Sequence, residues 1–292
     1  MIDVLVLNYN DYVTTSQFVN RLKDYSCVSH ILIVDNHSTD DSFEKLSELN
    51  SSKIIVVDSG RNCGYGAGNN FGIRYLYENF HSDFILLSNP DVVVLEEVLV
   101  RLENFLQEND VYSIVSPFMC DANGIRQSNT AFRIPTKWEY ILSIDLFFRK
   151  FIHSFNYNRN EYDSEKKIKT VGAVSGSMFL MRTSDMLKYG MFDESIFLYC
   201  EEVVLAKKLA ENGKKQALLL DFTYIHNHSV SISKTYRSLF SKQHLLNKSK
   251  LFVLNRYFGM KKYEYVFAYI LTRLIFIELF FVAMYRKICK HK

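Results

Sequence analysis

The chain is poor in the residues that interrupt or staple structure. Three prolines and eleven glycines in 292 residues argue against any disordered, low-complexity or collagen-like tract, and no segment repeats. The five cysteines, Cys27, Cys63, Cys120, Cys200 and Cys289, form no CxxC pair and no metal-ligand spacing. That scatter fits a reducing compartment rather than a disulfide scaffold. The opening stretch Met1–Leu7 lacks a basic n-region and is too short for a signal peptide, so it reads as a buried strand. On that cytosolic reading, sequons such as Asn36-His37-Ser38 carry no meaning.

The sharpest deficit is of negative charge. No Asp or Glu occurs from Phe222 to Tyr263, whereas Lys234, Arg237, Lys242, Lys248, Lys250, Arg256, Lys261 and Lys262 all lie there. The net charge of +3 hides this asymmetry. Such a tract calls for an anionic partner: nucleic acid, a phosphate-bearing ligand or an acidic membrane face. No nucleic-acid-binding motif accompanies it, so nucleic acid is not the expected partner.

What is present is an ordinary globular composition, 48% hydrophobic and 23% charged, in a chain long enough for one large α/β domain with a short appendage. Ile2–Leu7, His30–Val34, Ile54–Val57 and Phe84–Leu87 are continuous apolar runs, as expected of strands buried on both faces. Val13–Leu22, Ser42–Leu49 and Ala67–Tyr77 lie between them at crossover-helix length, the second with Ser38 or Thr39 as its cap. The alternation predicts a Rossmann-like, mostly parallel mixed sheet flanked by helices. Further on, Glu96–Glu108 reads as a helix, Tyr112–Met119 and Val171–Met181 as strands, and Glu201–Asn212 as a helix stopped by Gly213. The aromatic and basic stretch from Trp138 to Tyr162 reads either as an insertion over the site or as a surface helix.

In such a sheet, ligands bind beyond the carboxyl ends of the strands. There the sequence places Asn8-Tyr9-Asn10, then Asp35-Asn36, then Arg61 to Gly72, then Asn89-Pro90-Asp91. Each alone could be a turn or a cap; four on one edge are hard to produce by turn chemistry. The run Gly64-x-Gly66-x-Gly68 has Asn69 where a dinucleotide fingerprint needs glycine, and no Gly-Lys-Ser/Thr follows, so neither a Rossmann fingerprint nor a P-loop is present. Glycines opening a helix would still let main-chain N–H groups approach a diphosphate.

These segments, with Gly172–Arg182, Phe192–Glu202 and, more faintly, His226–Ser233, resemble the family-2 inverting glycosyltransferases of GT-A fold, closest to the rhamnosyltransferase-like branch of bacterial surface-polysaccharide synthesis. The resemblance runs over about residues 2 to 250. It implies a GT-A domain over 1–230, with a nucleotide-binding half to about 118 and an acceptor half from about 119. It also implies a nucleotide-diphosphate sugar donor, dTDP-rhamnose or a UDP-sugar, and a saccharide or lipid-linked acceptor. Asp35 would contact the base, with Asn8, Tyr9, Asn36, Asn62, Gly66, Asn70, Asn89, Gly176 and His228 (or His226) around the nucleotide sugar. Asp91 stands where relatives carry Asp-x-Asp and would hold a divalent cation, Mn2+ or Mg2+. Glu202 stands where the family places its catalytic Asp as general base, with Glu201 the competitor; Val204 replaces an acid common in relatives.

Residues 231–292 form a basic and apolar helical appendage. Tyr263–Tyr285 would be about 34 Å long as a helix. Its apolar residues supply roughly −4 to −7 kcal/mol toward insertion, while Arg273 and Glu278 each cost about 2.5 to 3.5 kcal/mol. The near-zero balance predicts a helix lying in the membrane interface or packing on a second subunit as a homodimer, not a spanning one. The expectation is therefore a cytoplasmic protein, peripheral at the inner face of the cell membrane. A nucleotidyltransferase and a non-catalytic GT-A binding module are the competing readings; Asn8-Tyr9-Asn10-Asp11 lacks the Gly-rich, Arg/Lys-bearing turn of the former.

Overall fold

The computed structural model describes residues 1–157, 162, 167–227 and 238–290. The four apolar runs are strands β1 (Ile2–Asn8), β2 (Val28–Asp35), β3 (Ile54–Asp58) and β4 (Phe84–Ser88). Each continues one residue past its apolar run and ends on a polar side chain that stays in register: Asn8 faces Asp35, and Asp35 faces Asp58. Asp3 and His30 apart, the runs are apolar because both faces are covered. Val4, Val6, Ile31 and Ile33 pack with Phe18, Val19 and Leu22 of α1 (Tyr12–Leu22) in one core. Leu5, Leu32 and Val34 pack with Ile73 and Leu76 of α3 (Tyr65–Phe80) in the other. Alternate residues of one strand thus serve two cores.

Among the described residues the main sheet has nine strands, in the order β3-β2-β1-β4-β10-β6-β11-β5, with β8 also pairing β11. The first four are mutually parallel. Strand β10 (Met178–Arg182) is antiparallel to β4 and to β6 (Tyr112–Cys120), and β11 (Lys215–His226) is parallel to β6. The edge pieces β5 (Val92–Val93) and β8 (Ile168–Val171) pair antiparallel with β11. Helices α2 (Ser42–Ser47) and α4 (Glu96–Glu108) complete the crossovers.

Two local expectations change. Neither Ser38 nor Thr39 caps α2, whose N-cap is Asp41. Ser38 instead serves the buried Asp35, which needs donors, and Thr39 bonds Asn10. The expected strand Val171–Met181 is three pieces, β8, β9 (Ala173–Val174) and β10, with β9 paired to β7 (Ala131–Phe132) in a separate ribbon. The chain turns at Gly172, where a Cβ would lie 2.7 Å from the Ile134 nitrogen, and breaks again at Ser175–Ser177. After the single turn α6 (Thr183–Asp185), the helix α7 (Glu201–Glu211) closes as expected: Gly213 has φ +71° and the Lys214 N–H donates to the Leu209 carbonyl.

The chain forms two units: Met1–Ile134, Asn156–Phe197 and Glu201–Ser233 in the first, and Pro135–Phe155, Leu198–Cys200 and Lys234–Lys292 in the second. The second contains α5 (Lys137–Leu142), opened by a Thr136–Glu139 capping box, with α8 (Leu239–Phe258) and α9 (Lys262–Lys290). Of the stretch Trp138–Tyr162, expected as an insertion or a surface helix, the part up to Phe155 therefore belongs with the C-terminal helices and the remaining described residues with the first unit. Lys137 pairs with Glu264, and Trp138 and Phe148 meet Phe267. Ser249 Oγ donates to the Leu198 carbonyl just before Tyr199 and Cys200, which have φ of 73° and 74°.

Two glycines with positive φ separate strain from crowding. Gly64 (φ +96°) has the Phe197 oxygen 2.2 Å from its would-be Cβ, whereas Gly213 has open space. Gly213→Ala should cost about 1 kcal/mol, the backbone penalty alone. Gly64→Ala should cost about 3 kcal/mol or more, since main chain must also move. Urea melts of the two variants check this; equal costs would refute it.

Candidate active site

The site begins at the carboxyl ends of β1, β2 and β3, where asparagines act as connectors because an amide both donates and accepts. Asn8 is buried: its Nδ2 donates to Asp35 Oδ2 at 2.7 Å and its Oδ1 accepts from Thr15 Oγ1 at 2.8 Å. Asp35 is fully buried and accepts also from the Ser38 N–H and Ser38 Oγ, each at 2.7 Å. Its carboxylate thus binds the loop after β2 to the end of β1. The Asn36 N–H donates to the Asn8 carbonyl at 2.8 Å, and Asn36 Nδ2 donates to Asn62 Oδ1 at 3.0 Å. Asn62 Oδ1 also accepts from the Gly64 N–H at 3.0 Å. The three strand ends are thereby one network. Tyr9 and Asn10 lie half-buried at its rim, and Asn10 and His37 hold left-handed backbone.

The glycine-rich helix start does packing work that the sequence did not suggest. A Cβ at Gly66 would come 2.9 Å from Phe192 Cβ, at Gly68 2.5 Å from Leu7 Cδ1, and at Gly72 2.2 Å from Leu5 Cδ1. The first N–H of α3, that of Tyr65, donates to the Phe197 carbonyl at 2.9 Å. These glycines let α3 pack closely on β1 and the 192–197 loop. Asn70 is likewise a clamp: it exchanges bonds with the Phe192 main chain and donates to Glu194 Oε1.

Tyr65 continues the network into the break between β9 and β10. Its hydroxyl donates to the Gly176 carbonyl at 2.9 Å, and the Gly176 N–H lies 3.3 Å from Glu202 Oε1. A Cβ at position 176 would sit 2.7 Å from that same oxygen, so a larger residue there would displace the carboxylate. The Ser177 carbonyl accepts from the Asn89 N–H at 2.8 Å, and Ser177 Oγ meets the buried Tyr224 hydroxyl at 2.6 Å. Sequence reading passed over Tyr65 and Tyr224. Tyr65 could have been found as the aromatic at the start of the glycine helix; nothing local marked Tyr224.

Glu201 and Glu202 open α7. Glu201 is 5% exposed, and its Oε1 has no hydrogen-bond partner among the described residues. Burial, reinforced by the charge of Glu202, pushes its carboxyl up to about 8. Glu202 borders a small cavity lined by Tyr65, Ile114, Val174, Phe179 and Leu205, and burial raises its pKa too, opposed by its own N–H and that of Gly176. Val204 is buried in the core at 1% exposure.

On the far side of the Ser175–Ser177 break, Asp91 Oδ1 lies 3.1 Å from His226 Nε2, and the Asn227 N–H donates to the Asp91 carbonyl. One carboxylate and one imidazole converge there, a pair that could supply two ligands to a divalent cation such as Mn2+. Among the described residues no group of three protein ligands occurs. His228 lies outside the described residues.

A family model described as glycosyl transferase family 2 matches residues 3–188. The low-salt glycan biosynthesis hexosyltransferase Agl10 of Haloferax volcanii is 27% identical over 202 residues, covering 69% of this chain and 59% of that relative. The rhamnosyltransferase WbbL of Escherichia coli is 25% identical over 224 residues, 67% of this chain and 82% of WbbL. An N-acetylglucosaminyl-diphospho-decaprenol L-rhamnosyltransferase of Mycobacterium tuberculosis is 23% identical, covering 78% and 76%. Among solved structures, GalNAc-T7 with UDP, GalNAc and Mn2+ superposes with a TM-score of 0.62 at 14% identity, covering 79% of this chain and 44% of that one. Staphylococcus aureus TarS 1–349 with UDP gives 0.53 at 17% identity, covering 89% and 72%. At such identities the structures establish the fold, that of the GT-A glycosyltransferases.

Two outcomes follow from the buried carboxyls. Asp35→Ala leaves the Asn8 amide and the Ser38 N–H without their acceptor and should cost about 3 kcal/mol of stability; a change in ligand affinity with an unaltered melt would contradict the bonding above. Glu201, held protonated in the fold but with an ordinary value of 4.5, contributes stability below about pH 4.5 that is lost as pH rises to about 8. Glu201→Gln should therefore melt progressively above wild type across that window, each suppressed pH unit being about 1.4 kcal/mol. A pH-independent difference in Tm would show that Glu201 ionises freely.

Proposed function

The chain belongs to glycosyl transferase family 2, and from that membership we propose that it transfers a hexosyl or rhamnosyl unit with inversion from a nucleotide-diphosphate donor, dTDP-rhamnose or a UDP-sugar, to a saccharide or lipid-linked acceptor. The observation that carries the proposal is the position of Glu202: a carboxylate of raised pKa, steered by a glycine N–H, at the end of a hydrogen-bonded series that starts at the strand ends. Relatives named as rhamnosyltransferases and hexosyltransferases support the sugar class.

In the proposed reaction the acceptor hydroxyl attacks the anomeric carbon from the face opposite the diphosphate. The new C–O bond forms as the bond to the diphosphate oxygen breaks, and Glu202 takes the hydroxyl proton. A desolvated carboxylate is the stronger base, so burial suits the role. Asn8, Asn36 and Asn62, fixed by Asp35, would shape the nucleoside end, with Tyr9 at its rim. Asn89 and Gly176 would border the sugar. Asp91, with His226 beside it, would hold Mn2+ or Mg2+, which when bound supplies positive charge for the departing diphosphate. We place the enzyme in the cytoplasm, peripheral at the inner face of the membrane, where a lipid-linked acceptor would be met.

Glu202→Gln keeps shape but cannot accept the proton, so turnover should fall about 10²–10⁴-fold with donor binding nearly unchanged. Glu202→Asp should retain activity. Wild-type turnover should rise with pH as the Glu202 carboxyl ionises, through a midpoint above the ordinary glutamate value. Loss in Glu201→Gln with Glu202→Gln still active would move the role one residue back. If neither substitution changes turnover, or no donor yields product, the chain is a binding module instead.

A further inference from the structure

The second unit carries an apolar surface that its own packing leaves open. One face of α9 is used internally: Glu264, Ala268, Leu271, Ile275 and Leu279 are buried. The opposite face repeats Val266, Ile270, Leu274, Ile277, Phe281 and Met284, each 40–57% exposed. Beside it, on the stretch that follows Pro135, Trp138, Phe147 and Phe151 are 46%, 54% and 70% exposed. Within Lys262–Met284 an 18-residue window reaches a mean hydropathy of 2.1, and by length and composition the helix could cross a bilayer.

Charge selects the occupant. Residues 135–155 and 234–292 contain sixteen Lys and Arg against four Asp and Glu, while the rest of the chain has nineteen against twenty-eight. Lys261, Lys262, Arg149 and Lys150 are exposed next to the apolar residues. Two copies of so cationic a patch repel each other, whereas an anionic bilayer attracts every one of these groups.

Hydrogen bonding selects the orientation. Glu278 accepts from the Leu146 N–H at 2.9 Å and from the Phe147 N–H at 3.1 Å, and Lys137 reaches Glu264 at 2.8 Å. Residues 137–147 thus lie along α9 between positions 264 and 278, about 21 Å of helix. The Ser143–Phe151 stretch is not regular helix, and its Ser143 carbonyl is held by Lys250 and Arg149. Were α9 to span, this polar main chain and its charged partners would be carried to hydrocarbon depth, where lipid satisfies neither.

We propose that this unit docks on an anionic membrane in plane, submerging the outer face of α9 together with Trp138, Phe147 and Phe151, and leaving the helix one-sided. The proposal rests on the membrane-peripheral part of the functional reading, yet vesicle binding needs neither donor nor acceptor and is scored apart from turnover.

Trp138 is the only tryptophan in the chain, so its fluorescence reports this surface directly. With the full-length protein, vesicles of mixed phosphatidylglycerol and phosphatidylcholine should blue-shift the emission, and phosphatidylcholine alone should not. Lipids brominated near the headgroup end of the acyl chain should quench more than lipids brominated near the terminal methyl. The double variant Phe147→Glu/Phe151→Glu should lower vesicle affinity by about tenfold or more, with an unchanged melt and unchanged turnover on a water-soluble acceptor. Stronger quenching by the deep label, or resistance to alkaline carbonate, would mean a spanning helix and overturn the proposal. So would no quenching in any vesicle, or a dimer that Val266→Glu/Ile277→Glu dissociates, which would assign the face to a second copy.

Discussion

Three residues, Ser175-Gly176-Ser177, hold the site together because they decline to be strand. The flanking segments are strand on both sides, and a continuous ladder would have consumed their main-chain groups. Released from it, the Ser175 N–H goes to the Thr130 carbonyl, the Gly176 carbonyl takes the Tyr65 hydroxyl, the Gly176 N–H steers Glu202, and the Ser177 carbonyl takes the Asn89 N–H. Each of those partners comes from a different element. The bonds lost from the sheet reappear as cross-links between the strand ends, the glycine helix and α7, so these main-chain groups are satisfied and the three elements are tied together by the same act.

What those links join is electrically uneven. The strand ends are built from neutral amides that bond one another, with a single buried carboxylate, Asp35, whose charge is met by donors on every side. Glu201 has no such surroundings: burial and repulsion from Glu202 raise it, and among the described residues one of its oxygens has no bonding partner. A protein does not maintain a desolvated acid pair for stability, since an apolar pair of similar size would serve better. The same contrast explains Val204. With two carboxyls already buried one turn away, a third on the core side of α7 would have nothing to compensate it, and the position is filled by an apolar side chain instead.

The sequence was most legible where periodicity and function agree. Apolar runs located β1 to β4 within two residues, and the polar residues just past them lie together because parallel strands in register must bring their carboxyl ends to one edge. Legibility failed where a residue type has two uses. The glycines of 64–72 suggested a phosphate approach, yet Gly66, Gly68 and Gly72 are dictated by Phe192, Leu7 and Leu5, partners distant or invisible in a local pattern. Asn70 reads as a ligand group, and its bonds to the Phe192 main chain were not visible in the sequence. Ser38 reads as a helix cap and is a donor to Asp35. The run Val171–Met181 reads as one strand since nothing in its composition reveals that Thr130 and Glu202 claim its centre.

The C-terminal helix shows why transfer energies alone do not decide how a helix meets a membrane. Counted residue by residue, Arg273 and Glu278 make insertion of this segment a near balance, and its hydropathy argues for spanning. The deciding term is what Glu278 binds. A carboxylate bonded to two main-chain N–H groups of a neighbouring non-helical stretch cannot be exchanged for lipid contact without stranding all three groups, and a stranded buried donor or acceptor costs about 1–3 kcal/mol each, more where charge is involved. That stretch in turn carries Phe147 and Phe151 outward. The acid that counts against a spanning helix is thus what fastens the aromatic residues beside it, and the two features are one arrangement suited to a surface on which only one side is apolar.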